Sequence, residues 1–241
     1  MFIHFVFIVS YFVINWNQMI EMNEIFSDSD TRIALWCNSA EDTNDLAVLA
    51  DNIIENKISL ISAPAGVVSF LWTCLEKSKV KILTRYFFEP INKNIDKDVS
   101  VLAENIVSVC KCGASGIQIF VKMRDFYGFM DILSVIRDDL FFGHDLCIMM
   151  DISDIDINNW DMIFEKLRDV RADVFGISMN EDMGNRSDFI GRIYGMLQKW
   201  NFGGDLHFVL NDNLERIDQA IRLVESLRPE LSEKLRFFIE Y

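Results

Sequence analysis

Leu146–Asp151 (LCIMMD), Asn158–Val170 (NNWDMIFEKLRDV) and Asp173–Ser178 (DVFGIS) follow one another in the chain, and their order decides the fold. Two short, near-continuous apolar runs flank a longer amphipathic one. Runs of that length, apolar along both faces, suit strands buried on both sides. A strand, a helix and a second strand in succession make a crossover unit with parallel strands.

The same unit repeats in both directions. Toward the N-terminus, strands are expected at Arg32–Cys37, Ile58–Ser62, Val80–Arg85 and Ile117–Lys122. Toward the C-terminus they are expected at Leu206–Asn211 and Arg236–Glu240. Helices are expected between them at Thr43–Glu55, Val67–Lys77, Asp98–Lys111, Arg124–Leu140, Ser187–Trp200 and Asn213–Leu227. Gly113 suits the end of the Asp98–Lys111 helix, Ser187 and Asn213 suit N-caps, and Pro229 ends the last helix. Eight such strands close a parallel α/β barrel, the (β/α)8 TIM barrel, which is a single domain of about 250 residues. The alternative is an open doubly wound sheet, but Asn38-Ser39-Ala40 stands where its glycine-rich phosphate turn belongs. The barrel domain is expected at 27–241, with the final helix expected to be missing after the eighth strand.

Residues 1–26 form a separate N-terminal segment, opening with the apolar run Met1–Ile14 (MFIHFVFIVSYFVI). It is short for a membrane span, which takes about 20 residues, and no Lys or Arg precedes Arg32. Three readings stand: a helix packed on the barrel, an upstream extension with the true start at Met19 or Met22, or a membrane anchor.

The net charge of −14 repels phosphate backbones and anionic lipid, which argues against nucleic acid and against a membrane surface as partners. Cys37, Cys74, Cys110, Cys112 and Cys147 are an odd, scattered set. They read as buried apolar cysteines in a reducing, cytoplasmic compartment. No CxxC pair or histidine cluster supplies a metal site, and no cofactor is expected. A homo-oligomer is compatible with the sequence.

Chemistry in such barrels sits at the C-terminal strand ends. Alternation along each strand selects Arg85, Gln118, Lys122, Asp151, Ser178, Asn180 and Asn211 as a polar ring. Lys122 closes the expected fourth strand, and with Gln118 and Phe120 inward it points inward too. An amine in an apolar mouth has its charged form disfavoured, and a neutral amine is the nucleophile a Schiff base needs. Asp151 would serve as general acid or base, or hold Lys122 as an ion pair. The other reading of Lys122 is the first solvated residue of a loop. The planar fork of Arg85 suits a carboxylate or phosphate, and Gln118, Ser178, Asn180 and Asn211 would orient a substrate. His144 and His207 are expected low on the barrel, and Gly203-Gly204 is expected to be a turn.

Several stretches carry a resemblance. They are Ile33-Ala34-Leu35 followed by Ala40-Glu41-Asp42, Ile58–Pro64 (ISLISAP), Val80–Thr84 (VKILT), Gly113-Ala114 leading into Ile117-Gln118-Ile119, and Ala172–Phe175. Over about residues 30–240 this layout resembles the deoxyribose-phosphate aldolases, which implies a class I aldolase barrel acting on a small carbonyl or sugar-phosphate compound. The chain departs from that family's motifs. Gly176-Ile177-Ser178-Met179-Asn180 stands where the family has a KTSTG-like run, with Gly176 in place of the Schiff-base lysine. Gln118 replaces an aspartate. Phe208–Asp212 holds neither the second lysine nor the glycine-rich phosphate turn. Three functions follow: a Schiff-base lyase working through Lys122 and Asp151, a catalytically silent barrel that binds a metabolite or a protein partner, or a membrane-anchored form of either.

Overall fold

The computed structural model describes residues 32–38, 43–89, 95–140, 143–179, 186–210 and 214–240. The N-terminal segment, Asn180 and Asn211 lie outside them. Eight parallel strands close a barrel in sequence order: β1 Ile33–Trp36, β2 Leu60–Pro64, β3 Lys81–Phe87, β4 Gly116–Phe120, β5 Asp145–Asp151, β6 Val174–Ser178, β7 Asp205–Val209 and β8 Leu235–Glu240. β8 pairs with β1 through Phe238 and Ala34, which shuts the ring. The helices α1 Thr43–Glu55, α2 Ala65–Leu75, α3 Ile95–Lys111, α4 Met123–Leu140, α5 Trp160–Asp169, α6 Arg186–Lys199 and α7 Leu214–Leu227 alternate with the strands. The fold expected from the sequence is therefore the fold observed.

The strand parity divides the core in two. Outward residues such as Ile119, Ile148, Phe175 and Phe208 pack against the helices, as do Leu35, Ile61 and Ile82 on the β1–β3 side. Inward residues Ala34, Leu60, Leu83, Cys147, Met149, Val174, Val209 and Phe238 fill the barrel itself.

Some boundaries move, for physical reasons. β2 runs two residues further than expected, to Pro64, which pairs with Arg85 of β3 as the last rung. Its extended backbone (φ −60°, ψ 149°) then leads into α2. Having no N–H, the proline cannot donate to a further rung, and the ladder ends with it. β4 stops at Phe120, two residues short of Lys122. α6 starts at Arg186, so Ser187 lies inside the helix and is not its cap. Cys74 and Cys112 are exposed, not buried as expected, while Cys37 and Cys147 are buried and Cys110 is half-buried. Pro229 opens a short 3-10 turn, Pro229–Lys234, after α7. Gly113 (φ +105°) follows α3, and Gly203 (φ +84°) leads toward β7. No helix among the described residues is long and apolar enough to cross a membrane.

Candidate functional site

The C-terminal mouth of the barrel is built from the last inward residues of the strands. Trp36 of β1 meets Phe120 of β4 edge to face at 5.7 Å and Phe238 of β8 at 6.1 Å. Phe87 stacks on Phe120 at 4.7 Å from the solvent side. Edge-to-face and offset pairs are the favourable aromatic geometries, so these rings form a cohesive plug.

Arg85 lies in this plug. Its guanidinium carbon sits 3.9 Å above the Trp36 ring, a cation–π contact strengthened where water is excluded. One terminal nitrogen, Nη2, donates to the Cys37 carbonyl. The other, Nη1, is buried and has no hydrogen-bond partner among the described residues. Burial pulls the guanidinium down to about 10, with Cys37 and Glu240 opposing that fall. Beside it, Trp36 Nε1 donates to Asn38 Oδ1 at 2.6 Å, and the Asn38 amide donates to Glu240. An arginine with an unused buried donor, backed by an aromatic face, is equipped to hold one carboxylate or phosphate oxygen.

The other expected site residues fall in different places. Gln118 is fully buried in the barrel and accepts a hydrogen bond from the Ser62 hydroxyl. Ser178 ends β6, half-buried, in register with Asp151 and Val209. Asp151 is half-buried, and one carboxylate oxygen accepts from Ser153 N at 2.8 Å and Ser153 Oγ at 2.5 Å, which caps a short 3-10 turn. The expectation for Lys122 needs correction. Because β4 ends at Phe120, strand alternation no longer governs its direction. Its side chain is 50% exposed and pairs with Glu89 at 3.4 Å. No ion pair joins Lys122 to Asp151 among the described residues. Lys122 stands as a solvated residue at the start of a loop.

His207 also departs from expectation. It is the middle residue of β7 and points into the barrel, 3% exposed. Burial pushes its imidazole down to about 3. Its ring packs on Phe238 at 5.2 Å, and Nδ1 lies 3.8 Å from Cys147 Sγ. Burial likewise holds the Cys147 thiol well above its ordinary value, so the two form a neutral pair and not a thiolate–imidazolium couple. Met149, beside them, spreads over Gly176, where an added Cβ would overlap its sulfur. None of Trp36, Cys147, Met149 and His207 belongs to the polar ring that the sequence selects. The signal was available: the parity that turned Asp151 inward also turns Met149 and Cys147 inward.

A hollow of about 500 Å³ lies at the opposite end, lined in part by Lys81, Asp145, Asp173, Phe202, Gly204 and Asp205. Its charges are largely engaged in structure. Lys81 pairs with Asp145 at 2.7 Å, and Asp173 holds Arg137 at 3.0 Å and Leu146 N at 2.8 Å. Conservation of such a bottom face serves stability in these barrels, whereas ligands meet the C-terminal strand ends.

Compared by sequence, the chain matches no protein-family profile and no curated protein. By structure it is similar to the deoxyribose phosphate aldolase of Aeropyrum pernix, with a TM-score of 0.63 at 11% identity over 87% of this chain and 85% of that one. It is also similar to QR15, an aldolase, with a TM-score of 0.64 at 14% identity over 87% and 91%. A third likeness is to the carboxyl transferase domain of Rhizobium etli pyruvate carboxylase, with a TM-score of 0.62 at 9% identity, covering 88% of this chain and 40% of that one. At these identities the shared property is the closed eight-stranded (β/α)8 barrel fold.

Proposed function

We propose that this chain is a binding barrel that takes a small carboxylate- or phosphate-bearing metabolite at its C-terminal mouth through Arg85, without imine chemistry. The observation that carries the reading is the buried, unpartnered Nη1 of Arg85 above Trp36. A guanidinium donor left unmade in a desolvated site costs free energy, which an anionic ligand would recover. The resemblance to the aldolases, which implies Gly176 in the place of their Schiff-base lysine, supports the silent half of the reading, as does Met149 filling the space at Gly176. Inorganic phosphate and small phosphorylated sugars should raise the melting temperature of the full chain in a saturable way, and Arg85→Gln should remove that rise. An equal rise in Arg85→Gln would refute the assignment.

A second reading keeps Lys122 as Schiff-base nucleophile and Asp151 as proton shuttle, acting as a lyase on a small carbonyl or sugar-phosphate compound. What favours it is their position just beyond and at the ends of adjacent strands β4 and β5. Borohydride reduction in the presence of small aldehydes and ketones, followed by mass spectrometry of the digest, separates the two. No lysine adduct is the outcome expected of the binding barrel. An adduct on Lys122, absent in Lys122→Met, would establish the lyase.

A further inference from the structure

We propose that Cys147, Met149 and His207, which converge inside the barrel around Gly176, form a binding site for a soft monovalent metal ion, Cu(I). The inference is independent of the anion reading at the mouth. β5 presents Cys147 and Met149 on its inward face, with Sγ and Sδ 3.3 Å apart. From β7, His207 brings Nδ1 to 3.8 Å from the same Sγ. The ladder explains the convergence. Gly176 of β6 is in register with Met149 on one side and His207 on the other, and having no side chain, it leaves them a shared space.

These separations resemble those of donors around one ion. Metal–sulfur and metal–nitrogen bonds of about 2.3 and 2.0 Å put neighbouring donors roughly 3.5–4 Å apart, so the two sulfurs need only open slightly. Groups of three or more His, Cys, Asp or Glu suited to a metal are absent among the described residues. Here the third donor is a thioether, and a thiolate with a thioether and an imidazole is a set that soft Cu(I) favours.

Charge selects the valence. The three side chains are 0%, 0% and 3% exposed, so any net charge left among them is costly. A thiolate with a monovalent cation and two neutral donors sums to zero. A divalent ion would leave one net positive charge on this buried donor set. On binding, the Cys147 S–H bond breaks and an S–Cu bond forms, and the proton leaves to solvent. Met149 Sδ and His207 Nδ1 each donate a lone pair, and copper stays Cu(I), with no electron transferred.

The test uses the folded full chain, incubated without oxygen with Cu(I) held by bicinchoninate, whose colour reports transfer. One Cu(I) per chain should be taken up, and X-ray absorption of the product should show both sulfur and nitrogen donors. Cys74→Ser/Cys112→Ser, which removes the exposed thiols, should retain this uptake. Met149→Leu conserves core volume and should weaken retention by about tenfold or more, with its circular dichroism unchanged. Cys147→Ser should abolish uptake, and Met149→Leu decides the matter if that variant fails to fold. Absence of uptake, uptake lost with the exposed thiols, uptake indifferent to Met149→Leu, or equal retention of Zn(II) would each overturn the proposal.

Discussion

Single side chains inside this barrel set both its pH response and its tolerance of substitution. An imidazole in the unfolded chain titrates near 6.5, but burial holds His207 at about 3. Below about 6.5 the unfolded state accepts a proton that the folded state refuses. Stability from this group is therefore complete above about 6.5 and is lost as the pH falls toward about 3, at roughly 1.4 kcal/mol per pH unit. Denaturant midpoints of the metal-free protein and of His207→Phe, taken from about pH 7.5 to about pH 5, should diverge, with the wild type losing more. Parallel curves would count against the assignment. Gly176 poses the packing question. A methyl group there meets the Met149 sulfur, and overpacking of this kind costs about 1–3 kcal/mol. Gly176→Ala should lower the urea midpoint, and Gly176→Ala combined with Met149→Ala should lower it by less than the two single losses added together. Strict additivity would mean that the sulfur does not occupy that space.

At the scale of elements, the sequence was legible wherever pattern alone determines structure and illegible where a strand ends. The LCIMMD and DVFGIS runs are strands because continuous apolar residues can be buried on both faces, and both appear nearly as expected, at Asp145–Asp151 and Val174–Ser178. IQIFVK reads as a strand through to Lys122, because nothing local marks a stop after Phe120. The ladder ends there with Phe120 opposite Met149, and the chain turns into α4 at Met123. Two residues decide whether a lysine faces the barrel or the solvent: Arg85 and Gln118 lie within their strands, and Lys122 lies beyond the end of β4. The α3–β4 connection shows the opposite case, with a local signal strong enough to read. Gly113 sits at φ +105°, and a Cβ there would run into the Trp72 ring. Gly113→Ala should therefore cost more than the roughly 1 kcal/mol of an ordinary glycine-to-alanine conflict at positive φ, as measured by thermal or urea unfolding. Relief of that loss by Trp72→Ala would locate the excess in the ring contact.

Across the whole molecule, electrostatics set two tendencies against each other. A chain carrying −14 repels itself, which disfavours compaction, while ion pairs such as Lys166–Asp131 and Lys199–Asp161, at 2.6 and 2.7 Å, draw parts of the surface together. Salt weakens both. Partly exposed pairs contribute about 0–1 kcal/mol each and lose little on screening, whereas self-repulsion sums over the entire surface. Raising the ionic strength from about 0.01 M to about 0.15 M shortens the screening length from about 30 to about 8 Å, so the melting temperature in sodium chloride should rise. A fall would mean that the ion pairs outweigh the repulsion. This background also sharpens the reading of Arg85. Any anion screens the surface, but only one seated at the mouth can satisfy Nη1. Phosphate should therefore stabilise the wild type beyond chloride at equal ionic strength, and the excess alone should disappear in Arg85→Gln while the common salt response remains. If the excess persists in that variant, phosphate acts elsewhere on the molecule, and the aromatic plug around Trp36 and Phe120 is a closed core with no ligand to receive.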